Sequence, residues 1–105
     1  MLAGESLTAI VHQLKGYDPI RIMLFGSAAR GEADSWSDLD LVVIKDTASP
    51  FLQRYREIAP FLHNTTPIDL FIYTPGEFER MKASHNPFIE RVLKEGKVIY
   101  EKERV

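Results

Sequence analysis

Three acidic residues have the types and spacing that could bind divalent cations. Asp38 and Asp40 are separated by Leu39, and Asp69 begins a later apolar run. In a strand, residues i and i+2 point to the same face, so Asp38 and Asp40 project together while Leu39 points to the core side. Two adjacent carboxylates repel each other unless a hard cation such as Mg²⁺ binds both. The pair alone is more typical of ordinary turn and strand-end residues, but Asp69 completes the three-carboxylate set that a two-metal site needs.

A Gly-Ser turn precedes these acids and has the composition of a phosphate-binding turn. Gly26-Ser27 follows an apolar run, and Ser27–Arg30 is predicted as a short helical segment. Glycine lets the backbone approach a ligand closely, and amides at a helix start attract phosphate oxygens. The Ser27 hydroxyl adds a donor, and the planar guanidinium of Arg30 could bind a phosphate. Taken alone, an ordinary strand-to-helix turn explains the same residues, and the Gly-Lys-Ser/Thr of a P-loop is absent.

The elements that must position these residues alternate between strands and helices. Strands are predicted at Ile20–Phe25, Leu39–Ile44, Ile68–Tyr73 and Lys97–Tyr100. Helices are predicted from Leu7 to Leu14, after Ser49-Pro50, after the capping box Thr74-Pro75-Gly76-Glu77 and after Asn86-Pro87. This order predicts a small α/β (α+β) domain whose sheet of three to four strands is covered by helices on both faces.

Four finer expectations follow from the helical patterns. Ser49 is predicted to cap the second helix, and Pro60 to kink or shorten it near its end. Arg54 is expected on a solvated face of that helix, and Leu93 on the inward face of the last helix.

Composition limits the classes of protein that this chain could represent. Its 105 residues are enough for one domain, which we place at residues 1–105. The formal charge of −2 argues against stable binding to nucleic acid. The absence of cysteine excludes disulfides and thiolate chemistry. No apolar stretch is long enough to cross a bilayer, and the N-terminus lacks a signal-peptide pattern, so we expect a cytoplasmic protein without membrane contact.

The combined motif resembles the minimal nucleotidyltransferases (MNT) of the nucleotidyltransferase superfamily. The resemblance rests on Phe25-Gly26-Ser27-Ala28-Ala29-Arg30-Gly31, on Ser37-Asp38-Leu39-Asp40-Leu41 and on the distal Asp69. It covers nearly the whole chain, including the closing segment from Pro87 to Tyr100. It implies the small nucleotidyltransferase fold, a mixed sheet of three to four strands flanked by helices.

The resemblance also implies a role for each motif residue. Gly26, Ser27 and Arg30 would hold the phosphates of ATP, while Asp38 and Asp40 would bind Mg²⁺. Asp69 would lie beside the metal and act as a base, or help to activate the acceptor hydroxyl. The reaction would be attack on the α-phosphate with release of pyrophosphate.

MNT proteins are often antitoxins that act on a HEPN-domain ribonuclease toxin, so the resemblance implies a partner and an acceptor. The expected reaction is transfer of AMP from ATP to a tyrosine of that toxin, within a hetero-oligomer. Two alternatives stay open. The chain could be a non-catalytic antitoxin that neutralises its toxin by binding. It could instead modify a small molecule or an RNA end, although such enzymes usually carry an additional acceptor domain that we do not expect in 105 residues.

Overall fold

The helices and strands follow one another in the predicted order. The structure, a computed structural model, describes residues 7–26, 29–31, 39–63 and 67–103. The helices are α1 (Leu7–Leu14), α2 (Phe51–Ile58), α3 (Pro75–Ala83) and α4 (Pro87–Glu95), and the strands are β1 (Arg21–Phe25), β2 (Leu39–Ile44), β3 (Ile68–Tyr73) and β4 (Lys97–Glu101). Single 3₁₀ turns at Lys15–Tyr17 and Ala59–Phe61 extend α1 and α2. Over the residues that the structure describes, no helix is long and apolar enough to cross a membrane.

Within the described ranges, the strands form one mixed sheet in the order β3-β2-β1-β4. Strand β1 is antiparallel to both β2 and β4, whereas β2 and β3 are parallel. A parallel pair needs a crossover connection, and α2 provides it. The mixed sheet with flanking helices confirms the predicted α/β (α+β) architecture.

Both faces of the sheet are covered, as the continuous apolar runs of β1 and β2 predict. On one face, Leu41 and Val43 pack in a core with Ile10 of α1 and Ile58 of α2. On the other face, strand residues pack with α3 and α4 in a second core that contains Met23, Phe25, Val42, Ile44, Phe78, Ile89 and Val92. Alternate residues of β1 and β2 therefore belong to opposite cores. A residue's place in this alternation decides whether its side chain contacts α1 and α2 or α3 and α4.

Most of the predicted helix boundaries are confirmed. The Thr74 hydroxyl accepts a hydrogen bond from the amide of Glu77 at 3.1 Å, and the Glu77 carboxylate accepts one from the amide of Thr74 at 2.9 Å. The Asn86 side chain caps α4 by accepting hydrogen bonds from the amides of Phe88 and Ile89. Helix α2 ends at Ile58 and continues as a 3₁₀ turn that contains Pro60.

Two local predictions are wrong. Ser49 does not cap α2, because Pro50 occupies the N-cap position and the Ser49 hydroxyl instead donates to Glu57 at 2.7 Å. Leu93 does not face inward but is 45% exposed, since Ile89 and Val92 fill the buried side of α4.

The expectation for Arg54 is also wrong, because its side chain is buried and only 4% of the residue is exposed. The guanidinium donates to both carboxylate oxygens of Glu77, at 2.7 and 2.9 Å. It also donates to the backbone carbonyls of Ser49 and Ile72. A buried charge is stable only when it is paired and hydrogen bonded, and the pairing with Glu77 and the two carbonyl contacts supply this stabilisation. Arg54 thereby joins α2 to β3 and α3.

The Arg54–Glu77 pair predicts a specific acid sensitivity. Hydrogen bonds from the Arg54 guanidinium lower the pKa of Glu77 from 4.5 to about 2. Since the folded-state pKa lies below the unfolded-state value, the stabilisation is complete above about pH 4.5 and is lost as the pH falls towards 2. Glu77→Gln should lower the free energy of unfolding at pH 7 by about 3 kcal/mol, because it leaves Arg54 buried beside a neutral group.

Urea unfolding between pH 2 and 7 measures both effects. Glu79→Gln, on an exposed position of the same helix, is the matched control and should behave like the unchanged protein. Equal pH dependence in the unchanged protein and Glu77→Gln would contradict a stabilising role for this pair.

Candidate active site

Strand register brings two of the predicted carboxylates together. Asp40 on β2 lies directly opposite Asp69 on β3, and Phe25 on β1 lies opposite Asp40. Register partners point to the same face of a sheet, and adjacent strands are about 4.8 Å apart. Asp40 is half-buried and Asp69 is exposed. The carboxylates therefore lie side by side near one end of the sheet, on the face that α3 and α4 cover.

Gly26 directly follows β1 and approaches Asp40 closely. Its φ of +77° lies in the left-handed region that favours glycine. A Cβ at this position would overlap the Oδ2 atom of Asp40. The amide of Arg30 donates to the carbonyl of Gly26 at 3.3 Å, which closes one turn after the glycine. The glycine thus leaves the room that the Asp40 carboxylate occupies.

A cleft of about 270 Å³ opens beside these residues. Gly26, Arg30 and Asp40 line it together with one edge of α4. Phe25, Phe71 and Phe88 form its apolar wall, with ring centroids 4.9 to 5.8 Å apart. The three packed rings give the cleft one apolar side, next to its charged residues.

The α4 side of the cleft carries charged residues that the sequence did not single out as site residues. Phe88, Arg91 and Glu95 line the cleft from one edge of the helix, at i, i+3 and i+7. Glu95 accepts a hydrogen bond from the guanidinium of Arg30 at 2.9 Å and lies 3.9 Å from Nε of Arg91. Charged residues at this spacing occur on many solvated helix faces, so the sequence pattern does not mark them as site residues. Their place in the cleft becomes visible only from the packing of α4 against the sheet.

The remaining predicted site residues, Ser27 and Asp38, lie outside the residues that the structure describes. Among the described residues, no group of three or more His, Cys, Asp or Glu side chains could hold a metal ion. Asp40 and Asp69 nevertheless supply two hard oxygen ligands on neighbouring strands. Their chemistry fits Mg²⁺, because carboxylate oxygens are the ligands that hard cations prefer.

Comparison with known proteins identifies the family. The sequence model of the family described as Polymerase beta, Nucleotidyltransferase matches residues 8–105. The chain belongs to this nucleotidyltransferase family. A protein of Methanocaldococcus jannaschii, provisionally named a protein adenylyltransferase, is 32% identical over 75 residues, which span 70% of this chain and 69% of the relative.

Solved nucleotidyltransferase structures share the fold. A crystal structure of a provisionally named nucleotidyltransferase from Sulfolobus solfataricus has a TM-score of 0.59 at 17% identity and covers 92% of this chain and 85% of its own. A toxin–antitoxin structure with AMP-PNP has a TM-score of 0.62 at 21% identity, and the match covers 91% of this chain and 73% of the matched chain. These two structures share the fold, while the family match and the M. jannaschii relative support an MNT-like family and nucleotidyltransferase activity.

The close approach of Gly26 to Asp40 predicts an unusually costly glycine substitution. Gly26→Ala should lower the free energy of unfolding by about 2 kcal/mol or more, because it combines left-handed strain with a steric overlap. Gly31→Ala is the matched control, since Gly31 has a φ of +75° but a Cβ there would meet nothing within 4 Å. The control should lose only about 1 kcal/mol.

Urea denaturation of both variants measures this difference, and the same pair in an Asp40→Ala background tests its cause. Removing the carboxylate should bring the cost of Gly26→Ala down to that of Gly31→Ala. An excess cost that persists without the Asp40 side chain would show that the overlap is not its origin.

Proposed function

We propose that this protein is a Mg²⁺-dependent adenylyltransferase that modifies a partner protein. In this proposal it transfers AMP from ATP to a tyrosine of a HEPN-domain ribonuclease toxin and so acts as the antitoxin of the pair. The observation that carries the proposal is the pairing of Asp40 with Asp69 beside the Gly26 turn and its cleft.

The site suits a nucleotide triphosphate and a divalent cation. Asp38, Asp40 and Asp69 are the residues that would hold Mg²⁺, which when bound neutralises phosphate charge and makes the α-phosphate easier to attack. Gly26 and Ser27 would bind phosphate oxygens through backbone amides and the Ser27 hydroxyl. The Arg30 guanidinium, which already lies on the cleft, would contribute a charged donor.

The proposed reaction is an in-line substitution at the α-phosphorus. The tyrosine oxygen forms a new bond to phosphorus, the bond to the bridging oxygen of the β-phosphate breaks, and pyrophosphate leaves with that electron pair. The exposed carboxylate of Asp69 accepts the phenolic proton. Holding the two reactants in this geometry supplies much of the rate enhancement.

The acceptor class is supported by the relatives rather than by the cleft itself. The name of the M. jannaschii relative describes a protein adenylyltransferase, and one structural neighbour is a toxin–antitoxin pair crystallised with AMP-PNP. The HEPN partner and the tyrosine acceptor come from the resemblance of the Gly26–Ser27 and Asp38–Asp40 motifs to MNT antitoxins. The proposal includes a cytoplasmic location, and the absence of cysteine is compatible with it.

Transfer of label from ATP to the partner tests this function. The purified protein is incubated with the product of the neighbouring gene, α-labelled ATP and Mg²⁺, and the labelled residue is identified by mass spectrometry. Asp40→Asn and Asp69→Asn should each reduce transfer by about 10²-fold or more, because each removes a charge from the reacting centre. Asp46→Asn, at an exposed position beyond the opposite end of β2, should leave transfer unchanged.

The same variants separate an enzyme from a binding antitoxin. Toxin neutralisation in cells should fail with Asp69→Asn and persist with Asp46→Asn. Absence of label on the partner, together with full neutralisation by Asp69→Asn, would exclude the proposed reaction and favour inhibition by binding.

A further inference from the structure

One carboxylate at the edge of the cleft lies between two guanidinium groups. Glu95 Oε1 accepts a hydrogen bond from Arg30 at 2.9 Å, while Glu95 Oε2 lies 3.9 Å from Nε of Arg91. All three residues line the cleft that also contains Gly26 and Asp40. Two guanidinium groups within reach of a single carboxylate mark a position that favours an anion.

Glu95 is poorly placed for the stability of its own helix. It is the last residue of α4, where the negative end of the helix dipole disfavours a carboxylate. Its pair with Arg91 has the acid on the C-terminal side, which is the weaker orientation of an i, i+4 pair. Local helix energetics therefore do not explain a carboxylate here, whereas the two arginines of the cleft do.

Another anion can readily replace the Glu95 carboxylate beside these two arginines. The side chains of Arg30, Glu95 and Arg91 are 41%, 31% and 70% exposed. Exposed ion pairs are weak, and a contact of 3.9 Å is too long for a hydrogen bond. A phosphate has the same forked array of acceptor oxygens as a carboxylate but more charge, so it competes well for guanidinium groups.

We propose that Arg30 and Arg91 together bind a phosphate of the substrate nucleotide, and that Glu95 occupies this anion position until the nucleotide enters. This inference rests on the proposed function and adds α4 to the nucleotide site. Arg91 is its new phosphate-binding residue. Glu95 competes with the nucleotide phosphate for both guanidinium groups and is displaced when the nucleotide binds.

Nucleotide binding in the absence of the toxin tests the inference. Isothermal titration calorimetry measures Kd for ATP with Mg²⁺ and for inorganic tripolyphosphate, which has neither base nor ribose. Arg91→Ala should raise both Kd values about fivefold to tenfold, and Arg91→Lys should raise them less. Glu95→Gln should lower both Kd values by about threefold, because it removes the competing charge.

Lys94→Ala removes a cation from an exposed neighbouring position of the same helix and is the matched control. It should change either Kd by less than about twofold, because Lys94 is exposed and does not line the cleft. Far-UV circular dichroism and the urea midpoint verify that each variant is folded.

Three outcomes would overturn the inference, and a fourth would leave it standing. An effect of Arg91→Ala no larger than that of Lys94→Ala excludes Arg91 from the phosphate site. Weaker binding of ATP with unchanged binding of tripolyphosphate would assign Arg91 to the base or ribose. Weaker binding by Glu95→Gln would contradict displacement of Glu95. Arg91-dependent phosphate binding without any labelling of the toxin would instead leave this inference standing and reject the proposed acceptor.

Discussion

The guanidinium of Arg54 holds together the part of the fold that creates the site. It binds the carbonyl that precedes α2, a carbonyl of β3 and the carboxylate of Glu77 on α3. These contacts fix the crossover helix against the strand to which it leads. Because β2 and β3 are parallel, no tight turn sets their register, and packing of the crossover must do so. A slip of one residue would point Asp69 to the opposite face, away from Asp40.

Helix α2, the crossover, stabilises the later part of β3 and leaves the start of that strand accessible. This strand is at the edge of the sheet, and edge strands expose backbone groups that other chains can pair with. Tyr55 of α2 donates to the carbonyl of Leu70, and Arg54 donates to that of Ile72. Both contacts lie beyond Asp69 in the chain, so α2 secures the later part of β3 while the exposed Asp69 stays accessible near its start. The strand can therefore be firmly anchored and still present a reactive group.

Local signals predicted the parts of this structure that depend on nearby residues. The apolar, β-branched composition of Leu39–Ile44 and Ile68–Tyr73 indicated strands β2 and β3 with the bounds that the structure has. The capping box at Thr74 and the amide cap of Asn86 involve residues two or three positions apart, and both were predictable for that reason.

Features that depend on distant partners could not be predicted in the same way. Arg54 has the pattern of a solvated helix residue, and its burial becomes favourable only because Glu77 lies opposite in the folded chain. The close approach of Gly26 to Asp40 follows from the register of β1 with β2, which the residue types do not specify. Arg91 and Glu95 join the cleft only through the angle at which α4 packs on the sheet.

The two described carboxylates differ in a way that suits different roles. Asp40 is half-buried, lies opposite Phe25 and fills the space beside Gly26, so packing restricts its positions. A ligand that must hold a cation in one place benefits from such restriction, because little order is lost when the cation binds. Asp69 is exposed on the edge strand, where an incoming hydroxyl group can reach it without displacing the core. The inner position of β2 thus holds Asp40 against the protein interior, while the edge position of β3 leaves Asp69 open to solvent, a division that suits the proposed transfer reaction.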